Sequence, residues 1–360
     1  MKKSYLLWSV ALILIILFAA CRDPSLEQAI IDYKGSRWDQ AYESIQKSVK
    51  KVPSDPEAWY YYGEIAGKRG EVKQMVEAFD KSLELKDTFK AEITSAKNSY
   101  FSKFYNSGVQ SYNTFIKTED KESENAQQAS KKIIEEFEKA LIIRNDYQAN
   151  RLIANAYRSL NDEENQIKYL NLAAESNPDT ALAWIELGFL YRINKDYDKA
   201  ADYFKKAIDV DPKNTTALTM FAECLDFSGK KDEAISAYKN AVEVNPQEKA
   251  IPFNLGLLLY KEANKEGLED SQRKQYLNEA EIYFKKAYDL DPEFKELYDL
   301  YGPVLIHNKK YDIAETVLLE GTKRFPDAAS IWTNLSIVYA NKNKVEKANE
   351  AAKKAKELSN

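Results

Sequence analysis

The amino-acid sequence predicts an all-α protein: an α-solenoid of about nine helical hairpins that follows an N-terminal signal segment. The first evidence is a sequence motif that recurs along the chain. It occurs as DYFKKAIDVDPKN at 202–214, SAYKNAVEVNPQE at 236–248 and IYFKKAYDLDPEF at 282–294. Each copy carries apolar residues at every third or fourth position, which is typical of a helix with one apolar stripe. Because a single hairpin cannot bury its stripe alone, consecutive hairpins are expected to stack.

The spacing of proline gives an independent measure of the period. Pro178, Pro212 and Pro246 are 34 residues apart, and so are Pro292 and Pro326. Proline lacks a backbone donor, so it ends one helix and is tolerated where the next unit begins. We place the units at 22–55, 56–89, 101–146, 147–180, 181–214, 215–248, 249–294, 295–328 and 329–360.

Two of these units are longer than the period. Pro246 and Pro292 are 46 residues apart, and the third unit has the same excess. The inserted segments, 118–129 and 262–273, are polar and compatible with helix. We expect each insertion to lengthen both helices of its hairpin by about six residues, or about 9 Å; a disordered loop is the alternative. Residues 90–100 are additional and are expected to lengthen the helix that opens the third unit.

Composition and charge exclude several classes of function. The net charge of −5 lacks the concentrated basic surface that nucleic acid requires, so no nucleic-acid partner is predicted. Two cysteines, Cys21 and Cys224, do not make a disulfide framework. Cys224 is expected to be a buried, inert thiol within a helix. His307, the only histidine, has no neighbours at metal-ligand spacing, so no metal site is predicted.

Catalytic motifs are also missing from the sequence. It contains neither a glycine-rich phosphate loop nor a nucleophile elbow. Repeats account for the chain after its leader. We therefore predict a protein that is not an enzyme, with no catalytic residue and no cofactor.

The N-terminus has the features of a secretory signal. Lys2 and Lys3 precede an apolar run of about sixteen residues, which is shorter than the ~20 residues that span a bilayer comfortably. The run ends in LFAAC, which resembles the lipobox of bacterial lipoproteins. The resemblance implies that residues 1–20 are removed, that Cys21 carries lipid and that 21–25 form a short tether. An uncleaved signal anchor is the alternative.

The lipoprotein resemblance also implies a location. It predicts a protein of the bacterial cell envelope, lipid-anchored and facing the periplasm or the exterior. Arg22 follows the cysteine, whereas enteric lipoproteins retained at the inner membrane carry Asp there. The outer membrane is therefore favoured where one is present.

One unit displays the full repeat pattern. In 181–214 it consists of eight residues: Trp184, Leu187, Gly188, Tyr191, Ala200, Phe204, Ala207 and Pro212. They resemble the tetratricopeptide repeat, W-x2-L-G-x2-Y…A-x3-F…P. The resemblance implies a right-handed superhelix whose concave groove is lined by the first helix of each hairpin. The match is close across 147–360 and weaker across 26–146, which we treat as two regions.

The predicted groove supplies the candidate binding residues. Members of the family that bind chaperones clamp a peptide carboxylate with basic and Asn residues. Arg151 and Asn155 match two of those places, but Glu186, Thr216 and Met220 do not match the others. We therefore predict no carboxylate clamp. The middle units instead place an apolar and aromatic set on the inward face, edged by two charges. This set comprises Ile185, Phe189, Arg192, Met220, Glu223, Phe227, Phe253, Leu257 and Tyr260.

We expect the groove to bind an apolar or aromatic peptide or helix of a protein partner. The alternative is that these side chains only pack between neighbouring helices. The predicted function is a membrane-tethered protein-interaction scaffold for envelope assembly, secretion or polymer export. A non-catalytic accessory subunit of a polysaccharide or peptidoglycan enzyme complex, or a protein that binds glycan through its many tyrosines, is the alternative function.

Overall fold

The computed structural model describes residues 22–120 and 123–359. These residues form eighteen α-helices and one 3₁₀ helix, Asp87–Phe89, and contain no strand. Cys21 and the predicted signal segment 1–20 lie outside the described residues. The described residues divide into two compact units, unit 1 up to residue 177 and unit 2 from residue 178 onward.

Unit 1 contains four hairpins. Their helices are α1 (Pro24–Lys34), α2 (Trp38–Lys51), α3 (Pro56–Arg69), α4 (Val72–Leu85), α5 (Lys90–Lys117), α6 (Glu124–Ile143), α7 (Tyr147–Ser159) and α8 (Glu163–Ser176). The two helices of each hairpin contact each other, and α2 and α6 also contact the first helix of the following hairpin. This is the stacking expected of a repeat that hides its apolar stripes against its neighbours.

Unit 2 contains five hairpins that stack in the same way. Their helices are α9 (Leu182–Ile193), α10 (Tyr197–Val210), α11 (Thr215–Phe227), α12 (Lys231–Val244), α13 (Ala250–Ala263), α14 (Asp270–Leu290), α15 (Lys295–His307), α16 (Tyr311–Arg324), α17 (Ala329–Asn341) and α18 (Val345–Leu358). The predicted all-α solenoid fold class is confirmed.

Small residues of the pattern allow the paired helices to approach closely. A Cβ added to Gly188 would lie 2.8 Å from the ring of Phe204, which is fully buried. Helix ends follow local chemistry as well. Asp196 and Asn214 cap α10 and α11 by accepting hydrogen bonds from backbone amides three residues ahead. Pro212 lies just beyond the end of α10, as predicted.

The two insertions have different outcomes. The first lengthens its hairpin, since α5 has 28 residues and α6 has 20, whereas the ordinary helix α12 has 14. Helix α5 begins at Lys90, so the additional residues 90–100 extend it, as predicted.

The prediction that the second insertion lengthens both helices is wrong. Helix α14 has 21 residues, but α13 keeps 14, and residues 264–269 form a loop. Gly267 has φ +74°, a left-handed conformation that interrupts a helix. The guanidinium of Arg273 donates to the carbonyl of Ala263 at 2.9 Å, which satisfies the end of α13.

Candidate functional site

The inner face of unit 2 is the surface that helices α9, α11 and α13 present on the side of the predicted groove. The repeat determines which residues lie there, because residues 34 apart occupy equivalent positions on successive first helices. The nine candidate residues differ strongly in exposure. Ile185 is buried, Phe227 is exposed, and the other seven are half-buried.

Two aromatic candidates pack within unit 2. The ring of Phe189 lies edge-on to buried Phe204, with centroids 5.3 Å apart. The ring of Phe253 is 4.5 Å from that of Phe294 and 6.0 Å from that of Phe284. These contacts give both side chains a structural role, and a substitution at either would disturb the core.

The two charged candidates form an ion pair with each other. Nη2 of Arg192 donates to Oε1 of Glu223 at 2.6 Å, and the two side chains are 34% and 20% exposed. The bond joins the first helices of adjacent hairpins. Nε of Arg192 is buried and has no acceptor within the described residues. The pair therefore neutralises the carboxylate and leaves one guanidinium hydrogen unsatisfied.

Cys224 follows this carboxylate and is buried, as predicted. Burial raises the pKa of its thiol to about 12, with a smaller contribution from the charge of Glu223. A thiol with so high a pKa is almost entirely protonated at neutral pH and is therefore a poor nucleophile.

A cavity of about 200 Å³ opens between α11 and α13 and contains three of the nine candidates, Glu223, Phe227 and Leu257. Phe227 is 54% exposed, although its ring stacks on that of Tyr197 at 5.0 Å. The remaining lining residues are Asp226, Tyr238, Asn254, Leu258 and Lys261.

Sequence reasoning missed three polar residues of this cavity. Adding the 34-residue period to Arg192, Met220 and Phe227 gives Asp226, Asn254 and Lys261. The 34-residue period therefore identifies these three positions, whereas the apolar and aromatic pattern does not.

A larger cleft of about 670 Å³ lies in unit 1 between α3 and α5. Its lining residues are Glu64, Gly67, Lys68, Ala91, Glu92, Ser95, Ala96, Ser99, Tyr100 and Lys103. None of them was predicted, because the candidate set was drawn from the middle repeats. Glu64 follows Gly63 just as Glu223 follows Ala222, so the two carboxylates occupy the same position of the repeat.

Two further observations concern the described part of the chain. Within it, no group of three or more His, Cys, Asp and Glu side chains is arranged to hold a metal ion. Among residues 22–120 and 123–359, no helix has both the length and the apolar character needed to cross a membrane.

Solved structures give partial likenesses. YrrB, "a TPR protein with an unusual peptide-binding site", is 22% identical and covers 52% of this chain and 91% of its own, with a TM-score of 0.44. MamA is 19% identical and covers 50% and 92%, with a TM-score of 0.43. A MamA fragment from Desulfovibrio magneticus RS-1 is 18% identical and covers 51% and 96%, with a TM-score of 0.40. No curated protein matches the sequence.

Tetratricopeptide-repeat families match most of the sequence. One matches 181–214, a second matches 26–88 and 302–360, and a third matches 147–180, 215–248 and 271–294. These segments cover well over half of the chain and lie within the helical hairpins of both units. The chain therefore belongs to the tetratricopeptide repeat family.

Proposed function

We propose that this protein is a non-catalytic protein-interaction scaffold, and that an apolar or aromatic segment of a partner binds to the inner face of unit 2. Stacked helical repeats form extended surfaces that bind other proteins, and their function resides in the side chains on those surfaces. The cavity between α11 and α13 is the proposed contact point.

The observation that carries this proposal is the exposure of Phe227 at the cavity. An aromatic side chain that is 54% exposed still has most of its apolar surface to lose to a partner. Stacking on Tyr197 supports the ring from one side. A ring that is already ordered loses less conformational entropy on binding, which suits it as an anchor.

Polar groups around the ring of Phe227 would orient the bound segment through hydrogen bonds. The side-chain amide of Asn254 lines the cavity and makes no hydrogen bond within the described residues. It can donate to and accept from the backbone of an extended segment. Lys261 lines the same cavity, whereas Asp226 is already paired with Lys231.

We further propose that a lipid on Cys21 holds the scaffold at the surface of the bacterial cell envelope. The support is the sequence LFAAC after a basic and apolar leader. Two or more acyl chains would give stable anchoring, whereas one would not. Cells fed radioactive palmitate should label the natural protein and fail to label Cys21→Ser. Undiminished labelling of the variant would contradict the lipid anchor.

The surface proposal is tested by photo-crosslinking in the source cells. The photoreactive residue p-benzoylphenylalanine is placed at position 227 or, as a matched control, at 282. Ile282 is 63% exposed on α14 and does not line the cavity, so neither replacement should disturb the core. We expect a discrete protein adduct at 227 and none at 282.

A second substitution tests the surface around the crosslinker. Leu257→Ser alters the same cavity and should weaken the adduct formed at 227. Equal adducts at 227 and 282, or no adduct at 227, would contradict the proposal. An adduct with carbohydrate would support glycan binding instead.

A further inference from the structure

Glu64 in the cleft of unit 1 is a carboxylate with no cation of its own. It is half-buried on α3, and no Lys or Arg of the described residues lies within ion-pair distance of it. Its Oε2 accepts a hydrogen bond from the hydroxyl of Tyr33 at 2.6 Å. Its other oxygen, Oε1, has no hydrogen-bond partner within 22–120 and 123–359. A carboxylate in this position can still be stabilised electrostatically by a cationic ligand.

Several tyrosines lie near this carboxylate, and their phenol pKa values respond to its charge. The ring centroid of Tyr61 lies 5.9 Å from that of Tyr33 and 5.1 Å from that of Tyr60. Burial, together with the negative charge of Glu64, raises the pKa of Tyr60 and of Tyr100 to about 12. An organic cation beside these side chains would be attracted both by the quadrupole of the aromatic rings and by the negative charge of the carboxylate.

Tyr100 contributes a hydroxyl that the protein leaves unsatisfied. The hydroxyl oxygen is buried and has no hydrogen-bond partner within the described residues. Gly67 makes room for it, since a Cβ there would lie 2.7 Å from that oxygen. Buried polar groups are nearly always paired, so an unpaired hydroxyl at a cleft is a candidate contact for a ligand.

We infer that this cleft binds the Lys or Arg side chain of a partner segment, with its cation against Glu64, its stem along the ring of Tyr100 and a nearby carbonyl on the hydroxyl of Tyr100. The cleft volume of about 670 Å³ accommodates a side chain together with adjoining backbone. The inference concerns a different surface from the one proposed in unit 2, so each can fail without the other.

The charges at the mouth of the cleft narrow the choice of partner. Lys68 and Lys103 line the cleft and are exposed, and Glu92 is exposed beside them. The two lysines repel a run of basic residues, whereas a single cation can still reach Glu64. The cleft therefore favours one Lys or Arg flanked by neutral or acidic residues.

The test titrates the full-length protein with two capped tripeptides while backbone amide NMR signals are followed. The probe is acetyl-Ala-Arg-Ala-amide, and its neutral counterpart carries citrulline in place of arginine. The arginine peptide should shift the amides of 60–68 and 95–103, and its binding should weaken with added salt. The citrulline peptide should bind about tenfold more weakly.

Matched variants locate the site. Glu64→Gln keeps the shape and an oxygen for Tyr33 but removes the charge, and it should weaken binding of the arginine peptide about tenfold. Tyr100→Phe should weaken it several-fold. Glu223→Gln makes the same change at the equivalent position of unit 2 and should leave these unit 1 shifts unchanged. Thermal unfolding checks that each variant is folded.

Three results of the peptide titrations would overturn the inference. These are the absence of shifts in the cleft with the arginine peptide, equal affinity for the citrulline peptide, and unchanged affinity in Glu64→Gln. Tighter binding of spermidine than of the peptide would also overturn it, because the cleft would then be a site for a free amine.

Discussion

Glu64 in unit 1 and Glu223 in unit 2 occupy the same position of the repeat but have different partners. Each accepts a hydrogen bond from the side chain 31 residues earlier, at 2.6 Å in both cases. In unit 1 the donor is the neutral phenol of Tyr33, and in unit 2 it is the guanidinium of Arg192. The backbone of the repeat therefore fixes where the carboxylate lies, and one residue of the preceding hairpin decides whether its charge is neutralised.

This difference gives the two units different surfaces. The carboxylate of unit 2 is neutralised, and the exposed group beside it is the aromatic ring of Phe227. Unit 1 keeps an unneutralised carboxylate, which lines its cleft and is hydrogen-bonded to a tyrosine. One repeat pattern thus presents an exposed aromatic ring in one unit and a carboxylate without a cation in the other, without any change of fold.

The largest expected effect tests whether the two units are equivalent beneath these surfaces. Phe79 and Phe204 hold the same repeat position, and both are fully buried. Phe79→Ala and Phe204→Ala should each destabilise their unit by about 3–5 kcal/mol, because each leaves a cavity. Hydrogen exchange should show lost protection mainly in unit 1 for the first and in unit 2 for the second. Ile282→Ser, an exposed change, serves as control and should cost less than ~0.5 kcal/mol.

Much of this architecture could be predicted from the sequence because each hairpin repeats the same physical solution. Period, apolar stripe and helix-ending proline all agree on the hairpin positions, and the structure confirms them. The second insertion was different. Its polar sequence is compatible with helix. However, Gly267 takes a left-handed conformation, and the inserted segment forms partly a loop and partly an extension of α14. Composition alone could not show which of the inserted residues are helical and which form the loop.

The candidate site was less predictable than the fold. A helical wheel identifies the inward side of Phe189 and Phe253, but it does not show that their rings lie against other aromatic rings. In unit 1, Tyr33 donates a hydrogen bond to Glu64 and Tyr100 lines the same cleft, and these two residues come from the hairpins before and after that of Glu64. The useful signal was a carboxylate after the small residue of the repeat, together with the residue 31 positions earlier.

A smaller expected effect distinguishes the ion pair that holds Glu223 from the neutral hydrogen bond that holds Glu64. A double-mutant cycle of Arg192→Ala and Glu223→Ala should give a coupling of about 0.5–1 kcal/mol, since both side chains are partly exposed. High salt should reduce it. The cycle of Tyr33→Phe and Glu64→Ala, which removes the acceptor altogether, should give a coupling of about 1 kcal/mol that changes little with salt, because the phenol is neutral.

Urea unfolding at low and high salt measures both couplings. Equal salt sensitivity in the two cycles would contradict the distinction between an ion pair and a hydrogen bond from a neutral donor. A Tyr33 coupling near zero would show that the phenol does not hold Glu64.

The smallest effect concerns alkaline pH. Burial raises the pKa of Tyr33 above its usual value near 10, and the hydrogen bond to Glu64 raises it further. A group whose pKa is raised by folding contributes stability below its unfolded pKa and loses that contribution as pH rises toward its folded pKa. The natural protein should therefore lose more stability than Tyr33→Phe between pH 9 and 10.5. The difference should be roughly 0.5 kcal/mol after allowance for solvent screening of a half-buried group.

Urea unfolding at each pH measures this difference in stability. Arg192→Ala is the control in unit 2, because arginine stays charged throughout this range. If Tyr33→Phe and the natural protein show parallel curves, the phenol is not held in its protonated form by the carboxylate, and Glu64 would have to be stabilised by solvent alone.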